Sequence, residues 1–493
     1  MTWFDPAPGD VARRSPPEVF SAGERNHHIS NTAYPIAHDR TFGPYRVPRA
    51  NHLGVISHAW DGIDSLCLYA HIPFCEVRCY FCEYTVVGPK ESDQTEPYMD
   101  RLEAELDGYA TLLGRRTLQG FDIGGGTPAF VPARRITRLV EQVQTRFSMA
   151  PGRISIETTP RIAAAEPEKL RSYFAAGIDR ISMGVQVIDP DLLRTLNRSG
   201  NGAEQHRRAV DHIRTAGFQR LNLDLMYGFA EQSLESWRAT LVHAIALCPE
   251  YITLYRMRYK LTRISHQAPA VRIEEVRAQA RLSRELLSAA GYHANPGKNT
   301  FSRVAGDVGT SAYLTRRVID GMPYLGVGLG AQSFTETTIS YNEGSVGKNL
   351  GPYLRAVDDG RLPVQDLYNL PRAQVMAKFV AVSFYFGEID RAAFAAKFGV
   401  TVEAAFPCEV AFAVGSGLME DTGRALSLTP EGARCFNGVI ALFFAPSVQT
   451  YLLERDPDRA EDMDLHRRRA LAVGERGARG LTRPKPITYL EDS

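Results

Sequence analysis

The sequence has no apolar run approaching the roughly 18 residues a membrane-crossing helix needs. It also has almost no net charge: 57 Lys plus Arg stand against 56 Asp plus Glu, so no overall field favours nucleic acid or an anionic membrane. The opening MTWFDPAPGDVARRSPPEVF carries no uninterrupted apolar stretch after its basic residues and does not read as a secretory signal. These absences predict a cytoplasmic protein that uses neither nucleic acid nor membrane as a partner. Cysteine is scarce, at 7 in 493 residues, and an odd number in such a chain speaks against a disulfide framework. Its spacing then matters more than its count.

What is present is ordinary globular composition, 44% hydrophobic and 23% charged, at a length that suggests two or three domains. Residues 1–60 are rich in Pro, His, Asn and Arg and read as an extended N-terminal arm lying over the surface. From Leu66 short strand-like runs, LCLYAHI, LQGFDIG, RISIET, DRISMGV, NLDLMYG and YITLYRM, alternate with amphipathic stretches. The latter are Tyr98–Leu113, Arg134–Phe147, Glu166–Ala176, Ala203–Ala216, Leu234–Leu247 and Ile273–Ala290. Strands alternating with crossover helices predict an α/β fold, a partial (β/α)6 barrel over residues 61–335. Ligands collect at the carboxyl ends of such strands, where loops vary without disturbing the core.

After a linker at 336–366, residues 367–450 turn helical, with Ala373–Tyr385, Arg391–Phe398 and Thr401–Gly415 followed by a brief strand pair near Leu418–Leu428. This pattern suggests a small winged-helix-like domain. Residues 451–493 are charged and poor in apolar residues, as in a solvated tail.

The strongest local signal is Tyr69-Ala-His-Ile-Pro-Phe-Cys75-Glu-Val-Arg-Cys79-Tyr-Phe-Cys82. Pro73 ends a strand, and the loop after it offers three thiolates at spacings of four and three. Soft thiolates select iron–sulfur clusters or zinc. Structural zinc wants a fourth ligand, and none of Cys67, Cys248, Cys408 or Cys435 makes a second pair. Three ligands leave one iron of a cube open. Glycine-rich Asp122-Ile-Gly-Gly-Gly-Thr-Pro128 follows the second strand, as an ordinary tight turn or as backbone that approaches a ligand. Glu157 ends the next strand, as a ligand contact or a surface ion pair, Gln186 ends another, and Arg198 lies further on. Asp224 sits inside an apolar strand, where an acid is costly without a partner.

CxxxCxxC after the first barrel strand resembles the signature of the radical S-adenosylmethionine superfamily. The flanking YxHIPFC resembles its oxygen-independent coproporphyrinogen III dehydrogenase branch. The resemblance spans about residues 60–335, and the winged-helix-like lobe is similar to that branch's C-terminal domain. It implies a [4Fe–4S] cluster on Cys75, Cys79 and Cys82, whose open iron chelates S-adenosylmethionine and cleaves it to a 5′-deoxyadenosyl radical. By the same resemblance, Gly125, Gly126 and Thr127 meet the methionine amino group and Arg198 its carboxylate. Gln186 and Asp224 meet the ribose, Glu157 the methionine end or ribose, while Tyr69 and the backbone at Phe81 flank the cofactor. No catalytic acid or base is assigned.

Two features separate the chain from the branch's best-known members. The dehydrogenase carries another cysteine two positions after the third ligand, where this chain has Tyr84. A haem-trafficking relative would show an HNxxYW-like segment, and ISYNEGSVGKNLGPY has neither His nor Trp. The chain thus looks most like the class C radical methylases and cyclopropanases, with two S-adenosylmethionine molecules and transfer of a C1 unit to an sp² carbon of a small natural-product substrate. A flavodoxin- or ferredoxin-type reductant is expected, with a separate methyltransferase as one way to close a ring. Gln332, in the segment YLGVGLGAQSF, is expected at the barrel mouth beside the second cofactor, unless Gly326–Gly330 merely pack against the sheet. Tyr255, Arg256, Arg258 and Tyr259 read as substrate contacts or surface residues. Coproporphyrinogen III dehydrogenation and haem handling stand as the alternatives.

Overall fold

A computed structural model of the chain describes residues 14–455 apart from 28, 37, 260 and 261. The expected tail therefore lies, from residue 456 onward, outside the described residues, as does the start of the arm. All six anticipated strands form: β1 (Ser65–Ile72), β2 (Thr117–Gly125), β4 (Ile154–Thr158), β5 (Arg180–Gln186), β6 (Arg220–Tyr227) and β7 (Tyr251–Arg256), with a two-residue β3 (Ser148–Met149) beside β2. They pair in parallel, in chain order, as the right-handed crossover rule leads one to expect. Strand β1 is buried on both faces, with Leu66, Cys67, Leu68, Ala70 and Ile72 all inaccessible. Helices cover a parallel sheet in this way. The helix Ala133–Arg146 shows why: Ile136, Leu139, Val140 and Val143 recur at helical spacing and form its buried stripe.

Beyond the six strands, Thr300–Ser302 adds an antiparallel β8 at one edge. On the other flank of β1, β9 (Tyr324–Gly328) forms a further parallel strand, followed by antiparallel β10 (Gln332–Phe334), β11 (Thr338–Asn342) and β12 (Val364–Asn369). The segment YLGVGLGAQSF is thus sheet, and its glycines answer to packing. A Cβ on Gly326 would lie 2.3 Å from the Gln332 carbonyl oxygen, and one on Gly328 2.4 Å from that of His71. Buried Glu105 fixes this turn by accepting from Gly328 N–H at 2.8 Å, Asn342 Nδ2 at 2.7 Å and Tyr353 Oη at 2.7 Å. Residues 336–366, expected as a linker, in fact supply β11, the start of β12 and the helix Leu350–Asp358.

The C-terminal region matches the winged-helix expectation. Helix Arg372–Ser383 leads to β13 (Glu388–Asp390), helix Arg391–Phe398 follows it, and β13 joins β14 (Met419–Asp421) and β15 (Ala425–Leu428) in a three-stranded antiparallel sheet in the order β13-β15-β14. The anticipated helix Thr401–Gly415 is two, Val402–Ala405 and Pro407–Gly415, because Pro407 cannot continue the first and instead opens the second.

The N-terminal arm is not a surface wrap. Helix Pro16–Arg25 lies against helix Phe436–Leu442 so closely that a Cβ on Gly23 would sit 2.6 Å from Ala441 Cβ. Val19, Ala22, Tyr34, Ile36, Phe42 and Tyr45 join one apolar core with the C-terminal helices and with Tyr313, Tyr324 and Phe334 of the barrel flank. Apolar residues in a Pro- and Asn-rich stretch show no period, so only their tertiary partners reveal that they are core. No helix among the described residues is long and apolar enough to cross a membrane.

Candidate functional site

The cysteine loop leaves β1 at Pro73 and runs over the carboxyl ends of the sheet. Val87 N–H donates to Pro73 O at 2.9 Å, while Gly126 N–H and Thr127 N–H donate to Ile72 O and Phe74 O, each at 2.8 Å. Those last two bonds need glycine. A Cβ on Gly126 would lie 2.6 Å from Phe74 O and 2.8 Å from Pro73 O, and Gly125, at φ +122°, would press on the His71 ring. The Gly-rich turn therefore supports the cysteine loop through these backbone contacts.

Cys75, Cys79 and Cys82 are free thiols that line one cavity of about 470 Å³. Among the described residues no three His, Cys, Asp or Glu side chains close round a point, as a single ion bound at about 2.3 Å would demand. Burial pushes the Cys75 thiol up to about 12 and raises that of Cys82. Bound iron is what would hold them as thiolates. Thr127 Oγ1 donates to Cys75 Sγ at 3.7 Å, and Arg198 Nη1 to Cys79 Sγ at 3.2 Å, while Arg198 Nη2 reaches Gly184 O at 2.5 Å.

His71 is neutral, burial holding it down to about 4. Its Nε2–H donates to Thr85 O at 2.7 Å and its Nδ1 accepts from Tyr69 Oη at 3.2 Å, so it ties the strand to the far end of the cysteine loop. Two further anchors carried no sequence signal. Lys348 Nζ donates to the carbonyls of Glu83 and Tyr84 at 2.7 and 2.6 Å, and Asn197 Nδ2 to that of Arg78 at 3.0 Å. Both come from segments distant in the chain.

Glu157 accepts Gly125 N–H at 3.2 Å, and burial together with the neighbouring Asp224 charge raises its carboxyl to about 8. Asp224, also raised by burial, has the partners its apolar strand required: Ser182 Oγ at 2.8 Å and Asn222 Nδ2 at 2.9 Å. Gln186 adopts φ +67°, rare outside glycine, and its Oε1 is buried with no hydrogen-bond partner among the described residues. A strained residue with an orphaned acceptor on a cavity wall is poised for a ligand.

Tyr69, Phe81, Gly125, Gly126, Thr127, Glu157, Gln186, Arg198 and Asp224 all line the same cavity as the three cysteines. Gln332 does not. It is half-buried in β10, where Tyr324 Oη donates to its Oε1, so its place at the mouth beside a second cofactor is corrected. Tyr255, Arg256 and Arg258 line the cavity, whereas Tyr259 turns away and its hydroxyl accepts Ala230 N–H at 2.8 Å. Thr32 of the arm and Tyr385 of the C-terminal domain also reach the cavity, which no local pattern announced.

An open parallel sheet with three cysteines on the loop after its first strand defines a class, and residues 69–244 match the radical SAM superfamily. The family that this match describes uses a [4Fe–4S] cluster and S-adenosylmethionine. The cradle, the donor set and the orphaned Gln186 acceptor fit them. More particularly, the chain is 35% identical over 191 residues to the oxygen-independent coproporphyrinogen III oxidase of Escherichia coli, covering 38% of this chain and 41% of that one. It is 34% identical over 200 residues to the haem chaperone HemW of Haemophilus influenzae, covering 40% and 51%. The chain thus spans about half the length of these curated relatives. The solved structure of the E. coli coproporphyrinogen III oxidase HemN superposes with a TM-score of 0.68 at 23% identity, over 79% of this chain and 93% of that one. These relatives overturn the expected methylase or cyclopropanase: they are porphyrinogen oxidases and haem chaperones, not enzymes of C1 transfer. The residue at Tyr84 separated this chain from one relative without placing it in another group.

Proposed function

We propose that this chain is a radical SAM enzyme of tetrapyrrole chemistry, whose reaction is the oxidative decarboxylation of a propionate-bearing porphyrinogen. The observation that carries the reading is the convergence on one cavity of Cys75, Cys79, Cys82, the Gly125–Thr127 turn, Glu157, Asp224 and the unpartnered Gln186 amide. Similarity to coproporphyrinogen III oxidases supports the substrate class.

When bound, the cluster and S-adenosylmethionine supply a one-electron cleavage and a species that removes hydrogen from substrate. The chain's own residues hold and orient. Cys75, Cys79 and Cys82 ligate iron, with Arg198 and Thr127 donating to two of the sulfurs and spreading their charge. The Gly125–Gly126 backbone lets a ligand come close. Glu157, protonated near neutral pH, offers a hydrogen-bond donor, and Asp224, held by Ser182 and Asn222, offers an acceptor. Tyr385 and Thr32 bring the C-terminal domain and the arm to the cavity wall. A flavodoxin- or ferredoxin-type protein would deliver the electron that cleaves the cofactor, and a one-electron acceptor would take the electron that the substrate radical gives up as CO₂ leaves.

The test is anaerobic incubation of reconstituted protein with reductant, S-adenosylmethionine and coproporphyrinogen III. Release of 5′-deoxyadenosine with loss of CO₂ from the porphyrinogen is expected. Absence of 5′-deoxyadenosine under every reducing condition would sink the radical reading. One observation favours a second reading: Tyr84 stands where the dehydrogenase carries a cysteine. A haem chaperone would bind haem stoichiometrically and leave coproporphyrinogen III intact.

A further inference from the structure

Among the described residues three tyrosines are exposed, Tyr84 at 63%, Tyr255 at 40% and Tyr385 at 38%, and all three line the candidate cavity. They come from separate places: the end of the cysteine loop, the end of β7, and the short helical turn Phe384–Phe386 of the C-terminal domain. Their hydroxyls are near enough that Tyr84 feels Tyr385, and Tyr255 feels both. Yet no ring of the three stacks on another aromatic side chain, and no phenol has a hydrogen-bond partner among the described residues. Elsewhere the tyrosines are packed: Tyr98, Tyr109, Tyr173, Tyr251 and Tyr353 are fully buried. Large aromatic faces left in water beside one cavity signal a binding surface, since an aromatic ring supplies much contact area at low conformational cost.

The charge at this mouth has a pattern too. Arg161 pairs with Glu76 at 3.1 Å and Arg258 with Glu83 at 3.4 Å. Arg256, adjacent to Tyr255 and exposed, has no acidic partner among the described residues. An unpaired guanidinium beside free aromatic faces suits a carboxylate borne on a flat ring.

We propose that Tyr84, Tyr255 and Tyr385 form an aromatic clamp for a pyrrole-type aromatic ring carrying a carboxylate side chain, with Arg256 binding the anion. The inference rests on the reading above that substrate reaches the cluster through this mouth. It adds that the C-terminal domain is part of the substrate site and that Tyr84 contributes a ring face there.

The test uses the reconstituted full chain titrated with coproporphyrin III and with its tetramethyl ester, followed by the shift of the porphyrin absorption band. Tyr255→Ala and Tyr385→Ala are each expected to weaken both ligands by about tenfold. Arg256→Ala should weaken coproporphyrin III by about tenfold and leave the ester unaffected. Iron and sulfide content, measured on the same samples, should match the parent, which separates a lost clamp from a misfolded site. Parental affinity in both tyrosine variants would overturn the clamp, and equal loss of acid and ester in Arg256→Ala would overturn the anion role. If the parent ignores both porphyrins, the tetrapyrrole reading fails by itself, and the clamp is decided with indole-3-acetate and naphthalene-2-carboxylate. Binding of these that is lost in the tyrosine variants upholds it, and no binding overturns it.

Discussion

At the scale of single residues, the site depends on groups that are stable only with particular neighbours. Cys79 has no substitute thiol within reach, because Cys67, Cys248, Cys408 and Cys435 lie outside the cavity. Cys79→Ala is therefore expected to lower iron and sulfide after anaerobic reconstitution at least about tenfold, read by metal analysis and the visible absorbance of the cluster. Glu157 gives a pH prediction in the cofactor-free protein. Its carboxyl titrates near 8 when folded and at 4.5 in the reference state, so the native chain binds the extra proton between those values. Stability from this group is thus lost as pH rises through that window. Relative to the parent, Glu157→Gln should gain at least about 2 °C in melting temperature on moving from pH 5 to pH 8. Parallel curves for parent and variant would refute the buried environment given to Glu157.

At the scale of elements, the cysteine loop has little regular structure, and its anchors include β1, the Gly-rich turn after β2, the segment around Asn197, and Lys348. Gly126→Ala places a methyl against backbone carbonyls that have no room to move, and should cost more than about 2 kcal/mol while preventing cluster uptake. Denaturant titration and metal analysis check both parts. Lys348→Met removes two hydrogen bonds from the Glu83 and Tyr84 carbonyls but leaves the sulfurs in place. The expected outcome is a cluster that forms and then bleaches several-fold faster in air, timed by its absorbance, since the loop end can open to oxidant. An unaltered bleaching rate would show that the loop does not need this anchor.

At the scale of the whole molecule, the winged-helix-like domain is joined to the barrel by a shared core in which Phe379, 4% exposed, packs against the turn at Gly321. Removing that ring should destabilise both parts together. Phe379→Ala is expected to cost about 3–5 kcal/mol and to leave a single thermal transition, with helical signal and cluster absorbance lost at one temperature. Two separated transitions would mean that the domains fold independently.

The amino-acid sequence determined whatever depends on neighbours along the chain. Six strands, six amphipathic helices, the winged-helix lobe and the cysteine loop are all written in local periodicity, in proline and glycine punctuation, and in thiol spacing. A residue such as Asp224 could be marked as needing a partner, because the cost of burying an acid is known without coordinates. Tertiary structure alone decided what depends on distant chain segments. It supplied Ser182 and Asn222 as that partner, turned YLGVGLGAQSF into a further parallel strand, a turn and an antiparallel strand, and removed Gln332 from the mouth. It also drew the arm into the core and brought Lys348, Thr32 and Tyr385 to the site. The physical reason is that hydrogen bonds and apolar contacts across hundreds of residues leave no period in the sequence, whereas a helix or strand must repeat its pattern to bury one face.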